Sequence, residues 1–349
     1  MKDRFFKSTI ITFLVLLVMV VVIKGLEKLV YLGDRELVQK EKVDKALGFL
    51  PSAQKSTQTA SLAEVIVTAP EKPSKIILRP GDYTKDQKLV PSVLRRKLKG
   101  VKTGVIFDVT TKKVIWQKDM DKSVGIASMT KMMTCLMLLE KVEAGIIDLA
   151  SKYKVTRTAT LPKPSKVWLD VRENVDVESL GQALMIKSAN DVAVFLAEIV
   201  TGSERVFVAL MNAKAKILGL DGAKFYNPNG LTKGRLYNKA TAMDMVKLSF
   251  LLLQYKDAVR WSSMKSADFK TDYRIKTNQI MKLTSHNKLL WRYPGVNGMK
   301  TGYTTVAGFC TTVTCTKDGK SVIIVLTGVK SSKERDAITL EALKWFYEQ

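Results

Sequence analysis

Three short patterns in this 349-residue chain carry side chains able to run a serine-nucleophile reaction without histidine. Ser-x-x-Lys sets a hydroxyl and an amine one helical turn apart on the same face, where a neutral amine can take the hydroxyl proton. Ser-x-Asn offers a second hydroxyl to relay a proton and an amide to hold a partner. Lys-Thr-Gly on a strand edge offers a cation to a carboxylate and a glycine where two backbones must approach. Each pattern is short enough to recur. Ser-x-x-Lys starts at Ser52, Ser128, Ser151, Ser262 and Ser285, Ser-x-Asn at Ser188 and Ser285, and Lys-Thr-Gly at Lys102 and Lys300.

The elements that must position these groups select among the copies. A Ser/Lys pair needs a helix N-terminus, whose free N–H groups and partial positive charge favour an alkoxide and an oxyanion. Only Ser128-Met129-Thr130-Lys131 opens a strong apolar periodicity, with Met132, Met133, Leu136 and Leu139 at helical spacing. Ser52 falls in a linker-like stretch, Ser151 between a helix end and a strand-like run, and Ser262 and Ser285 in polar, irregular sequence. Ser188-Ala189-Asn190 sits between an apolar helix ending near Ile186 and another starting at Asp191, a stable place to present side chains. Lys300-Thr301-Gly302 precedes the last two strands, whereas the Lys102 copy only starts an N-terminal hairpin.

The surrounding elements read as a hairpin (Thr103–Val109 with Val114–Gln117), helices at Val177–Met185, Asp191–Val200, Glu204–Leu218 and Ala240–Leu253, then strand Gly308–Cys315, turn Lys317-Asp318-Gly319-Lys320, strand Ser321–Thr327 and helix Ser332–Phe346. Strands at both ends with helices between them predict an α+β domain whose antiparallel sheet joins N- and C-terminal segments around a helical cluster.

Taken in order, Ser128-x-x-Lys131, Ser188-x-Asn190 and Lys300-Thr301-Gly302 form a set shared by penicillin-binding proteins and serine β-lactamases. From Val101 onward the chain resembles the D-alanyl-D-alanine carboxypeptidases, the low-molecular-mass penicillin-binding proteins. Ala127–Met133, Lys187–Asp191, Asn227-Pro228-Asn229-Gly230-Leu231 and Gly298–Tyr303 carry the likeness. The resemblance implies a penicillin-binding, β-lactamase-like transpeptidase fold and a hydrolase that removes the terminal D-alanine of peptidoglycan stem peptides, with β-lactams as covalent inhibitors and no cofactor. It implies that Ser128 is the acylated nucleophile, Lys131 its neutral base, and Ser188 the proton relay to the leaving D-alanine. Asn190 then positions the partners, and Lys300 with Thr301 holds the substrate carboxylate. The backbone N–H groups of Ser128 and Tyr303, beside Gly302, form the oxyanion hole. Arg335 falls where the family tends to place a second carboxylate-facing cation.

Two related activities share these residues. A class A β-lactamase also needs a glutamate for deacylation, and between Ser188 and Lys300 only Glu198 and Glu204 are present, neither followed by asparagine four residues on. A DD-endopeptidase cutting crosslinks is not separable from a carboxypeptidase by sequence.

Composition narrows the rest. Hydrophobic residues make up 46% and charged residues 26%, enough apolar material for a core. One histidine and three cysteines cannot build a His/Cys metal cluster or a disulfide scaffold. His286 reads as structural, Cys135 as core, and Cys310 and Cys315, about 16 Å apart along one strand, as too distant to bridge. The net charge of +24 comes without a nucleic-acid motif interleaved with aromatics, so an anionic membrane face or polymer suits it better than nucleic acid.

Lys2, Arg4 and Lys7 precede an uncharged apolar run, Ser8–Ile23, and no small-x-small cleavage site follows. Residues 1–26 are therefore expected to anchor the chain in the bacterial cytoplasmic membrane by a single pass, with the rest on the periplasmic side, the alternative being a cleaved signal peptide. Residues 27–100 are expected to form a juxtamembrane segment and flexible linker, rich in Ser, Thr, Pro and Lys around Pro51–Lys75, and residues 101–349 the catalytic domain. Many relatives carry a β-rich second domain and a C-terminal amphipathic anchor, for which the 47 residues after Gly302 leave no expected room.

Overall fold

In a computed structural model, residues 75–348 are described, and they belong to one unit, Ala69–Gln349. The expected anchor at residues 1–26 and the linker up to residue 74 lie outside the described residues. Among the described residues no helix is long and apolar enough to cross a membrane.

The first ordered pieces are strand β1 (Thr84–Lys85) and helix α1 (Ser92–Leu98). Both lie before the expected boundary at residue 101. Leu78, Val90, Leu94 and Leu98 are all buried, because Val90, Leu94 and Leu98 recur every four residues and form one apolar stripe. The basic run Arg95-Arg96-Lys97 hides that stripe in the sequence.

Strands β2 (Thr103–Asp108) and β3 (Lys113–Lys118) form the expected hairpin, and Asp108 Oδ1 accepts from the N–H groups of Thr110 and Thr111 in its turn. A short strand β4 (Val124–Gly125) leads to a 3-10 turn, Ala127–Thr130, and then to helix α2 (Lys131–Glu143). Strands β5 (Lys152–Lys154) and β6 (Asn174–Asp176) pair and flank a long loop, followed by α3 (Val177–Gln182) and a π turn, Ala183–Lys187. Then come α4 (Asn190–Thr201), α5 (Glu204–Ile217), β7 (Lys239–Ala240), which pairs with β4, α6 (Ala242–Leu252) and α7 (Lys256–Ser263). An arm of β8 (Ser266–Phe269), α8 (Asp272–Lys276) and β9 (Met281–Thr284) precedes α9 (Leu289–Arg292). The last elements are β10 (Val296–Thr304), β11 (Gly308–Lys317), β12 (Lys320–Val329) and α10 (Ser332–Tyr347).

The main sheet has the order β1-β3-β2-β12-β11-β10, so N- and C-terminal strands meet at β2–β12. Every pairing in it is antiparallel except β1 with β3, which is parallel. Asp318 and Gly319, both with positive φ (49° and 73°), close the β11–β12 hairpin as a two-residue turn between the paired Lys317 and Lys320. Alternate residues of β12 serve two cores. Ile323 and Val325 join Phe107 and the helical cluster on one face; Val322, Ile324 and Leu326 pack with Leu94, Leu98 and the α10 residues Ile338 and Leu343 on the other. β12 is thus buried on both faces, and β10 lies at one edge of the sheet, β1 at the other.

Ser262, read from sequence as irregular, is the buried penultimate residue of α7, a short helix whose charged face masks its periodicity. All three cysteines are buried and free.

Candidate active site

The 3-10 turn brings Ser128 and Lys131 onto one face at the start of α2. Ala127, just before the serine, holds a left-handed φ of 46°, a strained setting for a residue with a Cβ. Ser128 is half-buried and lines a cleft of about 370 Å³, while Lys131 is wholly buried. Lys131 Nζ has three neighbours: Asn190 Oδ1 at 2.7 Å, the Asn229 carbonyl at 2.6 Å and Ser128 Oγ at 3.1 Å. Burial first, and the Lys300 cation second, hold its pKa well below that of an ordinary lysine. A neutral amine has two N–H bonds and one lone pair. The two carbonyl oxygens take the N–H bonds, which leaves the lone pair for the Ser128 hydroxyl.

Ser188 lines the same cleft, and Asn190 meets Lys131 beside it. Ser188 ends the π turn in a left-handed conformation, φ 60°, which stops the helix and frees Asn190 to open α4. The Ser188 hydroxyl is buried, lines the cleft and has no hydrogen-bond partner among the described residues. A buried hydroxyl in that state gains from any polar atom brought to it.

The third wall is the β10 edge. Thr301, Gly302 and Tyr303 pair with Thr311, Cys310 and Phe309 of β11 on one side and line the cleft. A Cβ on Gly302 would stand 2.9 Å from the Ser128 backbone nitrogen and 3.0 Å from the Ile126 carbonyl, so only glycine lets the strand touch the nucleophile turn. Lys300 is buried, donates to the Thr301 carbonyl at 2.9 Å, and has its pKa pushed down to about 7 by burial and then by Arg335. Arg335 sits in the first turn of α10, donates to Asp336 Oδ1 at 2.7 Å and lines the cleft. All nine residues singled out from sequence therefore converge: eight surround the cleft or its base pair directly, and Lys300 lies under its β10 wall.

Other residues gain definition only here. The Asn227–Leu231 stretch forms a clasp over the nucleophile turn. Asn227 Oδ1 accepts from the Gly230 N–H at 2.7 Å, the Pro228 carbonyl accepts from Thr134 at 2.7 Å, and Gly230 adopts φ 87° with its Cα against the Ala127 carbonyl. Asn238, not singled out from sequence, donates to Thr130 Oγ1 at 3.0 Å and to the Asn227 carbonyl at 2.8 Å. The clustered Asn, Pro and Gly signal a turn. The acceptor it supplies is a main-chain carbonyl, which no residue type announces. His286 lines the cleft, closer to the chemistry than its sequence setting implied. Burial, then Lys300, Lys187, Lys288 and Lys131, push its pKa down to about 4, so it is neutral near pH 7.

A family model described as D-alanyl-D-alanine carboxypeptidase matches residues 97–331. The chain is 34% identical over 248 residues to the D-alanyl-D-alanine carboxypeptidase DacF of Bacillus subtilis, covering 71% of this chain and 62% of that protein. It is 30% identical over 227 residues to a D-alanyl-D-alanine endopeptidase of Escherichia coli, covering 64% and 70% respectively. Among solved structures it is similar to penicillin-binding protein D2 of Listeria monocytogenes in its cefotaxime-bound form, at TM-score 0.62 and 28% identity, covering 70% of this chain and 96% of that one. The chain spans about three fifths of the first curated carboxypeptidases it matches, 62% and 60% of their lengths.

Proposed function

The chain belongs to the D-alanyl-D-alanine carboxypeptidase family, and from that premise we propose that it is a serine DD-carboxypeptidase acting on peptidoglycan stem peptides. Lys131 takes the proton of Ser128, and Oγ attacks the carbonyl between the two terminal D-alanines. The backbone N–H groups of Ser128 and Tyr303 receive the oxyanion. Collapse of the tetrahedral intermediate breaks the C–N bond. Ser188 hands a proton to the departing D-alanine nitrogen and is replenished from the Lys131 ammonium. Water then attacks the ester by the reverse proton path, releasing the shortened peptide. Lys300, Thr301 and Arg335 hold the terminal carboxylate, and Asn190 holds both Lys131 and the substrate amide.

The observation that carries this reading is the set of three Lys131 contacts, which leaves a buried amine's lone pair facing a cleft-lining hydroxyl. The test is intact-mass analysis after exposure to penicillin, together with release of free D-alanine from a pentapeptide. The wild type is expected to gain one penicillin and release D-alanine, and Ser128→Ala to do neither. A wild type inert in both assays would sink the proposal.

The Escherichia coli endopeptidase relative favours one second reading, cleavage of crosslinks by the same residues. Comparing turnover of a pentapeptide with that of a crosslinked dimer separates the two; faster dimer cleavage selects the endopeptidase. For location, the uncharged Ser8–Ile23 run behind a basic tip supports single-pass attachment to the cytoplasmic membrane with the catalytic unit on the periplasmic side, where its substrate lies. Alkaline extraction of membranes should leave the full chain in the pellet; release into the supernatant would overturn attachment.

A further inference from the structure

One exposed aromatic is held far more firmly than exposure alone explains. Trp168 is 62% exposed, with φ 59°, between the buried Val167 and Leu169. The N–H groups of Val167 and Leu169 both donate to the Asp191 carboxylate, at 3.1 and 3.2 Å. Arg274 Nη2 donates to the carbonyls of Val167 at 2.9 Å and Trp168 at 2.8 Å, and Arg274 is itself in a buried ion pair with Glu173 at 2.8 Å. Lys166 Nζ lies 4.8 Å from the indole centroid and donates to the Thr160 carbonyl. Isolated exposed hydrophobics are ordinary on a protein surface. A left-handed tryptophan with its flanking amides and carbonyls fixed by two buried charged side chains is over-determined, the condition under which strain persists at ligand clamps.

The same loop reaches the cleft. Ser165 lines it, donates its hydroxyl to the Lys187 carbonyl, and accepts the Asn190 N–H at 2.7 Å. Asp191, which holds the indole's backbone, follows Asn190 directly. The indole is thus fixed to the helix start that carries the site's amide. Trp168 lies three positions along the chain from Ser165, at most about 11 Å, and the left-handed turn shortens this.

We propose that Trp168 is a specificity-determining residue that stacks on the substrate peptide upstream of the scissile bond, an inference that rests on the proposed function. The terminal carboxylate goes to Thr301, Lys300 and Arg335, so the rest of the peptide leaves the cleft away from them. Extended at about 3.3 Å per residue, a stem peptide puts its second and third residues upstream of the scissile carbonyl some 7–10 Å away. The first residue and any sugar beyond it start at about 13 Å. The indole's reach therefore matches aliphatic side chains of the peptide rather than the glycan.

The experiment compares kcat/KM on an acylated Lys-D-Ala-D-Ala tripeptide, a free stem pentapeptide and a disaccharide pentapeptide, for wild type, Trp168→Ala and Trp168→Phe. The wild type is expected to prefer pentapeptide over tripeptide. Trp168→Ala should lower that preference roughly 3- to 30-fold, mainly through KM, and Trp168→Phe should restore part of it. An unchanged ratio, an equal fall on both peptides, or a preference that arises only with the disaccharide would overturn the inference while leaving the proposed function standing. A wild type that turns over none of the three overturns both.

Discussion

At the scale of single residues the proposed chemistry rests on two lysines that must hold opposite protonation states. Lys131 has to be neutral to act as a base, and Lys300 has to be charged to hold a carboxylate. The lowered pKa of Lys131 means its ammonium gives up the proton early, so kcat/KM rises with pH through that ionisation. Above about 7 the free enzyme begins to lose the Lys300 proton, and kcat/KM falls. A bell-shaped kcat/KM profile with its alkaline limb near pH 7 is expected. The kcat limb should lie higher, since a bound carboxylate stabilises the Lys300 cation. Lys300→Gln removes a positive neighbour from Lys131, so the base's pKa rises and the ascending limb of penicillin acylation moves to higher pH. An ascending limb that stays put or moves down would show that the two amines are not coupled. His286 is neutral at every pH on this profile above about 5, so the sole imidazole does not shape it.

At the scale of elements the site is a three-way junction of the nucleophile turn, the α4 start and the β10 edge, tightened by the Asn227–Leu231 clasp. Two glycines report on different parts of it. Gly230→Ala sets a Cβ 2.0 Å from the Ala127 carbonyl at φ 87°, a clash plus backbone strain of about 2–5 kcal/mol together, expected to lower Tm by roughly 5–15 °C. Gly302→Ala has no such backbone penalty, but its Cβ meets the Ser128 nitrogen at 2.9 Å. Its acylation rate should therefore fall by about tenfold or more while Tm moves by only a few degrees. Calorimetry with stopped-flow acylation checks both, and equal Tm losses would contradict the distinction. The helices and strands themselves were legible to within a few residues, because burial on one or two faces prints a period of 3.6 or 2. The short elements β1, β4–β9, α1, α7, α8 and α9 were not; in α1 and α7 three charged residues match three apolar ones and mask the period.

For the whole molecule, the folded unit starts before the expected residue 101. Deleting residues 69–100 strips four buried side chains, Leu78, Val90, Leu94 and Leu98, from the cores they help build. At about 1.5–3 kcal/mol each, the loss is of order 6–12 kcal/mol as an upper estimate, comparable to a domain's entire stability. A Val101–Gln349 fragment should lack a cooperative thermal transition that an Ala69–Gln349 fragment retains; matching melting curves would show that α1 is dispensable. The spacing of Ser128, Lys131, Ser188, Asn190 and Lys300, and the periodicity around them, were enough to pick the copy of each pattern that the fold gathers around one cleft, since a nucleophile and its base must share a helical turn and a binding strand must be extended. Those are local requirements, written in neighbouring residues. What only the tertiary structure decided is how these pieces face one another: that the Asn229 carbonyl accepts a hydrogen bond from Lys131, that Gly302 lies against the Ser128 nitrogen, that His286 enters the cleft and that residues 75–100 close the core. Each depends on contacts between segments tens to hundreds of residues apart, and a main-chain carbonyl or a missing Cβ acts there without any side chain to mark it in advance.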